Sequence, residues 1–275
     1  MSEIKQITSL QNTLVREILV LKEKSRERRK KGLFVLEGRR ELQLALKGGY
    51  EVVTLLYCPE IMPAKDILEM KRILNDGTTL IELSPKVYQK LAYRATTEGL
   101  IAVSKTKDHS LTNLALKNRN PLILVAEAPE KPGNIGALLR TADAANLDAV
   151  FIANAKGDIY NPNIIRSSVG CIFTNSIAMG STSDIISYLK EHDISIFCAA
   201  LTASKNYTNI DYTKGSAIVV GTESTGLTYD WLENSDQNIV IPMQGEIDSM
   251  NVSVSAAILI FEAKRQRDFS TPNAI

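Results

Sequence analysis

The sequence predicts an α/β protein of two domains, the second of which carries a mostly parallel sheet. Short apolar segments of strand length alternate with longer amphipathic segments along most of the chain, as is typical of α/β folds. A polar stretch at residues 106–120 interrupts this alternation and ends at Pro121. We therefore expect one domain at residues 1–105, a linker at 106–120 and a second domain at 121–275.

The first domain is expected to begin with one long helix, residues 12–31, because its apolar residues recur near the helical period. Further helices are predicted to end near residues 47, 74 and 92. Apolar segments bounded by turn residues predict strands at residues 33–36, 52–57, 79–83 and 100–104.

The second domain is expected to have a parallel sheet covered by helices on both faces, since its strand candidates are almost continuously apolar. Strands are predicted at residues 122–126, 149–152, 194–199, 217–220 and 238–241, and helices at 134–145, 181–192 and 252–267. Ser249 and Asn251 precede the last helix, and both are residue types that cap a helix start.

Charge is unevenly distributed along the 275 residues, although the net charge is only +1. The first fifty residues hold twelve Lys and Arg against six Glu, and most of this excess lies in residues 22–31. Because a basic segment on a neutral protein favours a polyanionic partner, we expect this segment to contact phosphate, with a solvated helix face as the alternative.

The chain is expected to be a cytoplasmic protein. Its three cysteines are far apart and form neither a disulfide framework nor a Cys-x-x-Cys metal pattern. Its polar N-terminus does not resemble a signal peptide, and no apolar run is long enough to span a membrane.

Several common catalytic sites are excluded by the sequence. It contains no G-x-G-x-x-G, no G-x-x-x-x-G-K-[ST] and no H-E-x-x-H pattern. The only histidines, His109 and His192, are expected at the surface, so a histidine-based triad or a histidine-ligated metal is not expected.

Three loops of the second domain follow predicted strands, at residues 134–140, 221–227 and 241–251. Open α/β sheets bind ligands beyond the carboxyl ends of their strands. Gly221 and Gly226 permit tight turning and close approach to a ligand. These loops are therefore the candidate site.

The same loops resemble the three motifs of the SpoU/TrmH family, S-adenosylmethionine-dependent RNA ribose 2′-O-methyltransferases of the SPOUT class. The segments are Asn-Ile-Gly-Ala-Leu-Leu-Arg at 134–140, Val-Val-Gly-Thr-Glu-Ser-Thr-Gly-Leu at 219–227, and Ile-Pro-Met-Gln-Gly-Glu-Ile-Asp-Ser-Met-Asn at 241–251. They occur in family order and spacing. In the first domain, residues 34–38 and 98–103 resemble the family's substrate-binding extension, which is similar to ribosomal protein L30e.

The resemblance implies a SPOUT-type sheet with a C-terminal deep trefoil knot, an L30e-like first domain, and a homodimer with its active site at the interface. It also implies that S-adenosylmethionine is the methyl donor, with no metal. The implied donor-binding residues are Gly221, Ile241, Met243, Met250 and Leu201. The implied catalytic residues are Arg140, Asn134, Glu223, Ser249 and Asn251.

Two positions depart from the family pattern. The first motif usually ends in glycine, whereas here Asn146 follows Ala145; asparagine also tolerates the left-handed backbone of a helix end. The third motif usually has leucine where this chain has Met250, and that exchange nearly conserves volume.

Arg140 matches the arginine that the family casts as the general base. A guanidinium has a pKa above about 12, so we favour a role in which Arg140 holds the neighbouring phosphate and orients the hydroxyl. Asn251 is expected both to cap the last helix and to bond the ribose.

RNA contacts are expected mainly from the first domain, with ribosomal RNA of the large subunit as the substrate by analogy with two-domain family members. The expected contact residues are Lys22, Lys24, Arg26, Arg28, Arg29, Lys30, Arg39 and Arg166.

Three alternatives remain at this stage. The substrate could be transfer RNA, or the chain could be an RNA-binding protein that keeps the fold without the activity. It could also be a base methyltransferase with Cys198 as nucleophile, although a buried structural cysteine is commoner.

Overall fold

The computed structural model describes residues 5–93, 98–222 and 224–269. The chain forms two compact units. The first comprises residues up to 107 together with 158–174, and the second comprises 108–157 together with the residues from 175 onward. The segment 158–174 therefore belongs to the first unit. The range expected from the sequence for the first domain was continuous, 1–105, and did not include this segment.

The first unit contains a mixed sheet with the strand order β1-β4-β3-β5-β2. Strand β1 pairs parallel to β4 and β4 to β3, whereas β5 runs antiparallel to both β3 and β2. The strands are β1 Lys5–Ile7, β2 Leu33–Glu37, β3 Val52–Tyr57, β4 Thr79–Leu83 and β5 Leu100–Lys105. The helices are α1 Thr13–Glu23, α2 Ser25–Lys31, α3 Arg39–Lys47, α4 Ala64–Ile73, α5 Pro85–Leu91 and α7 Pro162–Ser167.

The expected single helix over residues 12–31 is wrong, because the chain breaks at Lys24. This residue has an extended backbone (φ −109°, ψ 106°) between α1 and α2. The Arg28 guanidinium reaches back to the carbonyls of Leu21 and Lys22, at 2.6 and 3.0 Å. These carbonyls lie in the last turn of α1, where no intrahelical donor is available, so Arg28 stabilises the break.

The second unit is built on a seven-stranded sheet with the order β10-β12-β9-β11-β6-β7-β8, and its strands pair in parallel throughout the described residues. The strands are β6 Leu122–Glu127, β7 Ala149–Ala153, β8 Ile177–Gly180, β9 Ser195–Ala199, β10 Lys205–Asn206, β11 Ser216–Val220 and β12 Gln237–Val240. The helices are α6 Pro132–Ala144, α8 Thr182–Glu191, α9 Tyr229–Glu233 and α10 Val252–Gln266.

Apolar residues of the central strands form the core of the second unit, and the buried indole of Trp231 packs with them. Strands β6 and β11 are buried along their whole length. This burial explains why both read as continuous apolar runs, and it confirms the predicted α/β fold with a mostly parallel sheet. The linker region contains one short helical turn, Leu111–Asn113. Within the described ranges, no helix is long and apolar enough to span a membrane.

Candidate functional site

An open cleft of about 500 Å³ lies in the second unit at the carboxyl ends of β6 and β11. Its lining includes Ala126 and Val220 from these two strand ends, Asn134 from α6, Gly221 from the following loop, and Val252 from the start of α10. Because parallel strands end at the same sheet edge, three segments that are far apart in sequence meet there.

Asn134 and Asn251 are joined directly at the cleft. The Asn251 side-chain amide donates to the Asn134 Oδ1 at 3.2 Å. The Asn251 Oδ1 accepts from the Ser253 N–H at 3.0 Å and from its hydroxyl at 2.6 Å, which makes Asn251 the N-cap of α10. One residue therefore ends the third loop, caps α10 and positions Asn134.

The loop after β11 turns back closely on itself. A Cβ added at Gly221 would lie 2.3 Å from the Gly226 carbonyl carbon, so any larger residue requires the backbone to move. Thr222 Oγ1 lies 2.7 Å from the Thr225 hydroxyl and accepts from the Thr225 N–H at 3.0 Å. Glu223, an expected catalytic residue, lies outside the described residues.

Other predicted site residues lie on exposed or half-buried surface around these loops. Arg140 is exposed on α6. Ser249 is also exposed, and its hydroxyl donates to Asp248 at 3.2 Å. Ile241, Met243 and Met250 are half-buried, and Leu201 is 68% exposed. Of the predicted catalytic and donor-binding residues that the structure describes, Asn134 and Gly221 line the cleft.

Glu127 is a residue that the sequence analysis did not identify. Its side chain is only 2% exposed at the end of β6. It accepts from the Thr228 N–H at 2.8 Å, the Thr228 hydroxyl at 2.7 Å and the Thr182 hydroxyl at 3.2 Å. Since Thr228 ends the loop that begins at Gly221, Glu127 anchors this loop to the sheet edge. The feature of the sequence that could have indicated this role is an acidic residue at the end of an apolar strand.

Cys198 lies in β9, fully buried, with its thiol 3.5 Å from the Trp231 carbonyl oxygen. Burial raises the pKa of this thiol to about 12. The thiol therefore stays protonated at neutral pH, and the structure does not favour the cysteine-nucleophile alternative. No cluster of three or more potential metal ligands occurs in residues 5–93, 98–222 and 224–269.

The predicted RNA-contacting residues differ in exposure. Lys24, Arg26, Arg29, Lys30 and Arg166 are exposed, while Lys22 is half-buried.

The prediction for Arg28 is corrected by the structure. Arg28 is 2% exposed and forms a buried ion pair with Asp158 in the same unit. A side chain so enclosed cannot reach an RNA phosphate. Arg39 is also engaged, with Asp66 at 2.8 Å and Glu69 at 3.2 Å.

Two known families match this chain. The family described as SpoU rRNA Methylase matches residues 121–261, and the MRM3-like substrate binding domain matches residues 12–102. The 23S rRNA (guanosine(2553)-2′-O)-methyltransferase RlmP of Bacillus subtilis strain 168 is 30% identical over 95% of this chain and all of its own length.

Two solved structures share the fold. An RNA 2′-O ribose methyltransferase superposes with a TM-score of 0.82 at 36% identity, covering 95% of this chain and 99% of the other. The SpoU methyltransferase AviRb of Streptomyces viridochromogenes, in complex with the cofactor AdoMet, has a TM-score of 0.85 at 25% identity, with 94% and 99% coverage.

Proposed function

Because this chain belongs to the SpoU rRNA methylase family, we propose that it is an S-adenosylmethionine-dependent RNA ribose 2′-O-methyltransferase acting on large-subunit ribosomal RNA. The observation that carries the proposal is the hydrogen bond between Asn134 and Asn251 at the cleft beside Gly221. It brings residues of the first and third family motifs together next to the second. The relative RlmP acts on 23S rRNA, which supports the choice of RNA.

We assign methyl-donor binding to the loops after β9, β11 and β12. The close approach of Gly221 to Gly226 leaves backbone rather than side chain facing a ligand at that point, which suits an extended cofactor. Ile241, Met243 and Met250 are half-buried and offer apolar and thioether surface, and Leu201 is an exposed apolar residue able to close over a bound molecule. The AdoMet complex of AviRb supports this cofactor.

The reaction forms a bond from the ribose 2′-oxygen to the donor's methyl carbon and breaks the bond from that carbon to sulfur. The hydroxyl proton leaves to solvent or to a nearby base. Most of the rate gain should come from holding the two reactants in line.

Exposed Arg140 is proposed to bind the phosphate next to the target ribose through a bidentate hydrogen-bonding contact. Asn134 and Asn251 would orient the hydroxyl, and Ser249 and Glu223 complete the proposed catalytic set.

The remaining expectations are proposals of the same kind. A homodimer would place the active site at the interface between its two protomers. The trefoil knot and the cytoplasmic location stay predictions.

The experiment is transfer of labelled methyl from S-adenosylmethionine to size-fractionated bacterial RNA, with Arg140→Ala as the comparison. We expect label in the large ribosomal RNA, lost by at least about 100-fold in the variant, with donor binding unchanged. Label in transfer RNA would keep the chemistry and overturn the substrate. Donor binding without label in any RNA, including ribosome assembly intermediates, would favour a binding protein instead.

Arg140→Lys separates the two roles for this residue. Lysine keeps the charge but cannot form the planar bidentate contact. A phosphate-binding role therefore predicts a clear decrease in the rate of methyl transfer. A wild-type rate in Arg140→Lys would show that this geometry does not matter.

A further inference from the structure

The first unit contains a second open cleft, of about 410 Å³ when the solvent-filled space at its mouth is included. Its walls are apolar and include Leu91, Ile101 and Ile165. Polar and aromatic groups also line it, namely Lys22, Glu37, Glu41, Tyr93 and Arg166. An apolar cleft with a few charged groups suits a flat ligand that carries hydrogen-bonding groups along its edge.

Glu37 lines this cleft and carries an unsatisfied acceptor atom. Its Oε2 accepts from the Tyr93 N–H at 2.6 Å. Its Oε1 is buried and has no hydrogen-bond partner among the residues that the structure describes. Buried polar atoms without a partner are rare and unfavourable, so a ligand N–H that bonds to Oε1 would be stabilising.

Lys22 supplies a donor beside this acceptor. Its ammonium donates to the Leu91 carbonyl and lies 5.3 Å from the centre of the Tyr93 ring. Burial lowers the pKa of Lys22, and the negative charge of Glu37 acts in the opposite direction. An ammonium has three N–H groups, so the bond to Leu91 leaves donors for a ligand.

Arg166 lies at the same ring. Its guanidinium carbon is 5.3 Å from the Tyr93 ring centre and its side chain is exposed. The Tyr93 hydroxyl donates to the Asn163 Oδ1 at 2.6 Å, which holds the ring in place. An exposed guanidinium positioned on an aromatic ring is suited to a phosphate.

We propose that this cleft binds an unpaired guanine nucleotide of RNA, with Lys22 and Glu37 on the base edge and Arg166 on the phosphate. Guanine presents O6, an acceptor, beside N1–H and the N2 amino group, both donors. A lysine next to a carboxylate matches this order, whereas uracil has a single N–H between two acceptors. Bases in single-stranded RNA are commonly read through this edge.

This inference rests on the proposed function, because it adds a base-reading site to an RNA methyltransferase. It concerns only how the first unit selects RNA. It therefore predicts that Glu37→Gln raises the KM for RNA about tenfold or more while kcat stays within about twofold of wild type.

The direct test measures binding of guanosine, inosine and uridine 5′-monophosphates to the full-length protein by saturation-transfer NMR. The protein should prefer the guanosine nucleotide over uridine by at least about tenfold, with inosine, which lacks the amino group, in between. Glu37→Gln should remove this preference. Glu51→Gln is the matched control, since Glu51 is 55% exposed and pairs with Lys105 in the same unit.

Equal binding of the guanosine and uridine nucleotides to the wild type would overturn the proposal, as would an unchanged preference in Glu37→Gln. Arg166→Ala gives an independent check, because it should weaken all three nucleotides equally. An Arg166→Ala protein that binds all three as tightly as wild type would overturn the assigned phosphate contact. The assay uses neither methyl donor nor methyl transfer, so its failure is distinguishable from failure of the proposed function.

Discussion

The Asn251 side chain caps α10 through its oxygen and bonds to Asn134 through its nitrogen, at 3.2 Å. The two halves of one amide thus serve two purposes. The oxygen stabilises local structure, and the nitrogen connects the start of α10 to the first turn of α6. This division makes the structural and functional roles of Asn251 separable by substitution.

Asn251→Asp keeps the capping oxygen and removes the N–H donor to Asn134. Asp caps helices as well as Asn does, so the midpoint of thermal unfolding should change little. Methyl transfer should fall at least about tenfold, because Asn134 loses its positioning bond. Asn251→Ala, which loses the bonds of both the side-chain oxygen and the side-chain nitrogen, should also destabilise the fold by about 1 kcal/mol. A wild-type rate in Asn251→Asp would contradict the role of the bond.

Gly221→Ala should weaken binding of S-adenosylmethionine by about tenfold or more. The added Cβ would approach the Gly226 backbone to 2.3 Å, and the loop has to shift to accommodate it. Gly77→Ala in the first unit is the control, since a Cβ there meets no atom within 4 Å. Calorimetric titration with the donor measures both, and equal affinities in the two variants would argue against the loop as part of the donor site.

Asp158→Asn should destabilise the first unit by about 3–5 kcal/mol, because it leaves the buried Arg28 charge without its partner. The side chains of this pair are only 3% and 7% exposed. Glu17→Gln disrupts an exposed pair with Lys31 and should cost less than about 1 kcal/mol. Denaturant unfolding followed by circular dichroism compares the two, and similar small losses would show that the buried pair contributes little.

Cys198 should make the protein less stable at alkaline pH. The pKa of its thiol is raised from 9.0 to about 12 in the folded state by burial. Between these values the unfolded chain loses the proton and the folded chain keeps it. The free energy of unfolding therefore decreases as pH rises from about 9 to about 12, by up to ~1.4 kcal/mol per pH unit from this group.

Cys198→Ala isolates that contribution. The slope of unfolding free energy against pH should be shallower in the variant than in the wild type between about pH 9 and 10.5, whatever its effect on absolute stability. Methyl transfer at neutral pH should be retained. Identical slopes would mean that the thiol ionises equally in both states, and lost activity in a folded variant would revive the cysteine-nucleophile alternative.

Local sequence was sufficient for most of the secondary structure. Strands Val52–Tyr57 and Thr79–Leu83 have their predicted bounds, and the predicted capping residue of α10 is in place. Short elements were missed, including β1, α7, β8, α9 and β10. Elements of two to six residues carry too little periodicity to be recognised, and their stability comes from neighbours rather than from their own residues.

The sequence by itself determined the fold class, the three motif loops and the family, because these depend on residue types at short spacings. Only the tertiary structure decided which charged side chains are exposed and able to contact RNA. Arg28 and Lys24 look alike in the basic segment, yet Asp158, 130 residues from Arg28, buries one of them in an ion pair. Glu127 likewise anchors a loop through Thr228, 101 residues away. Burial and pairing depend on which distant elements pack together, and local periodicity carries no information about that.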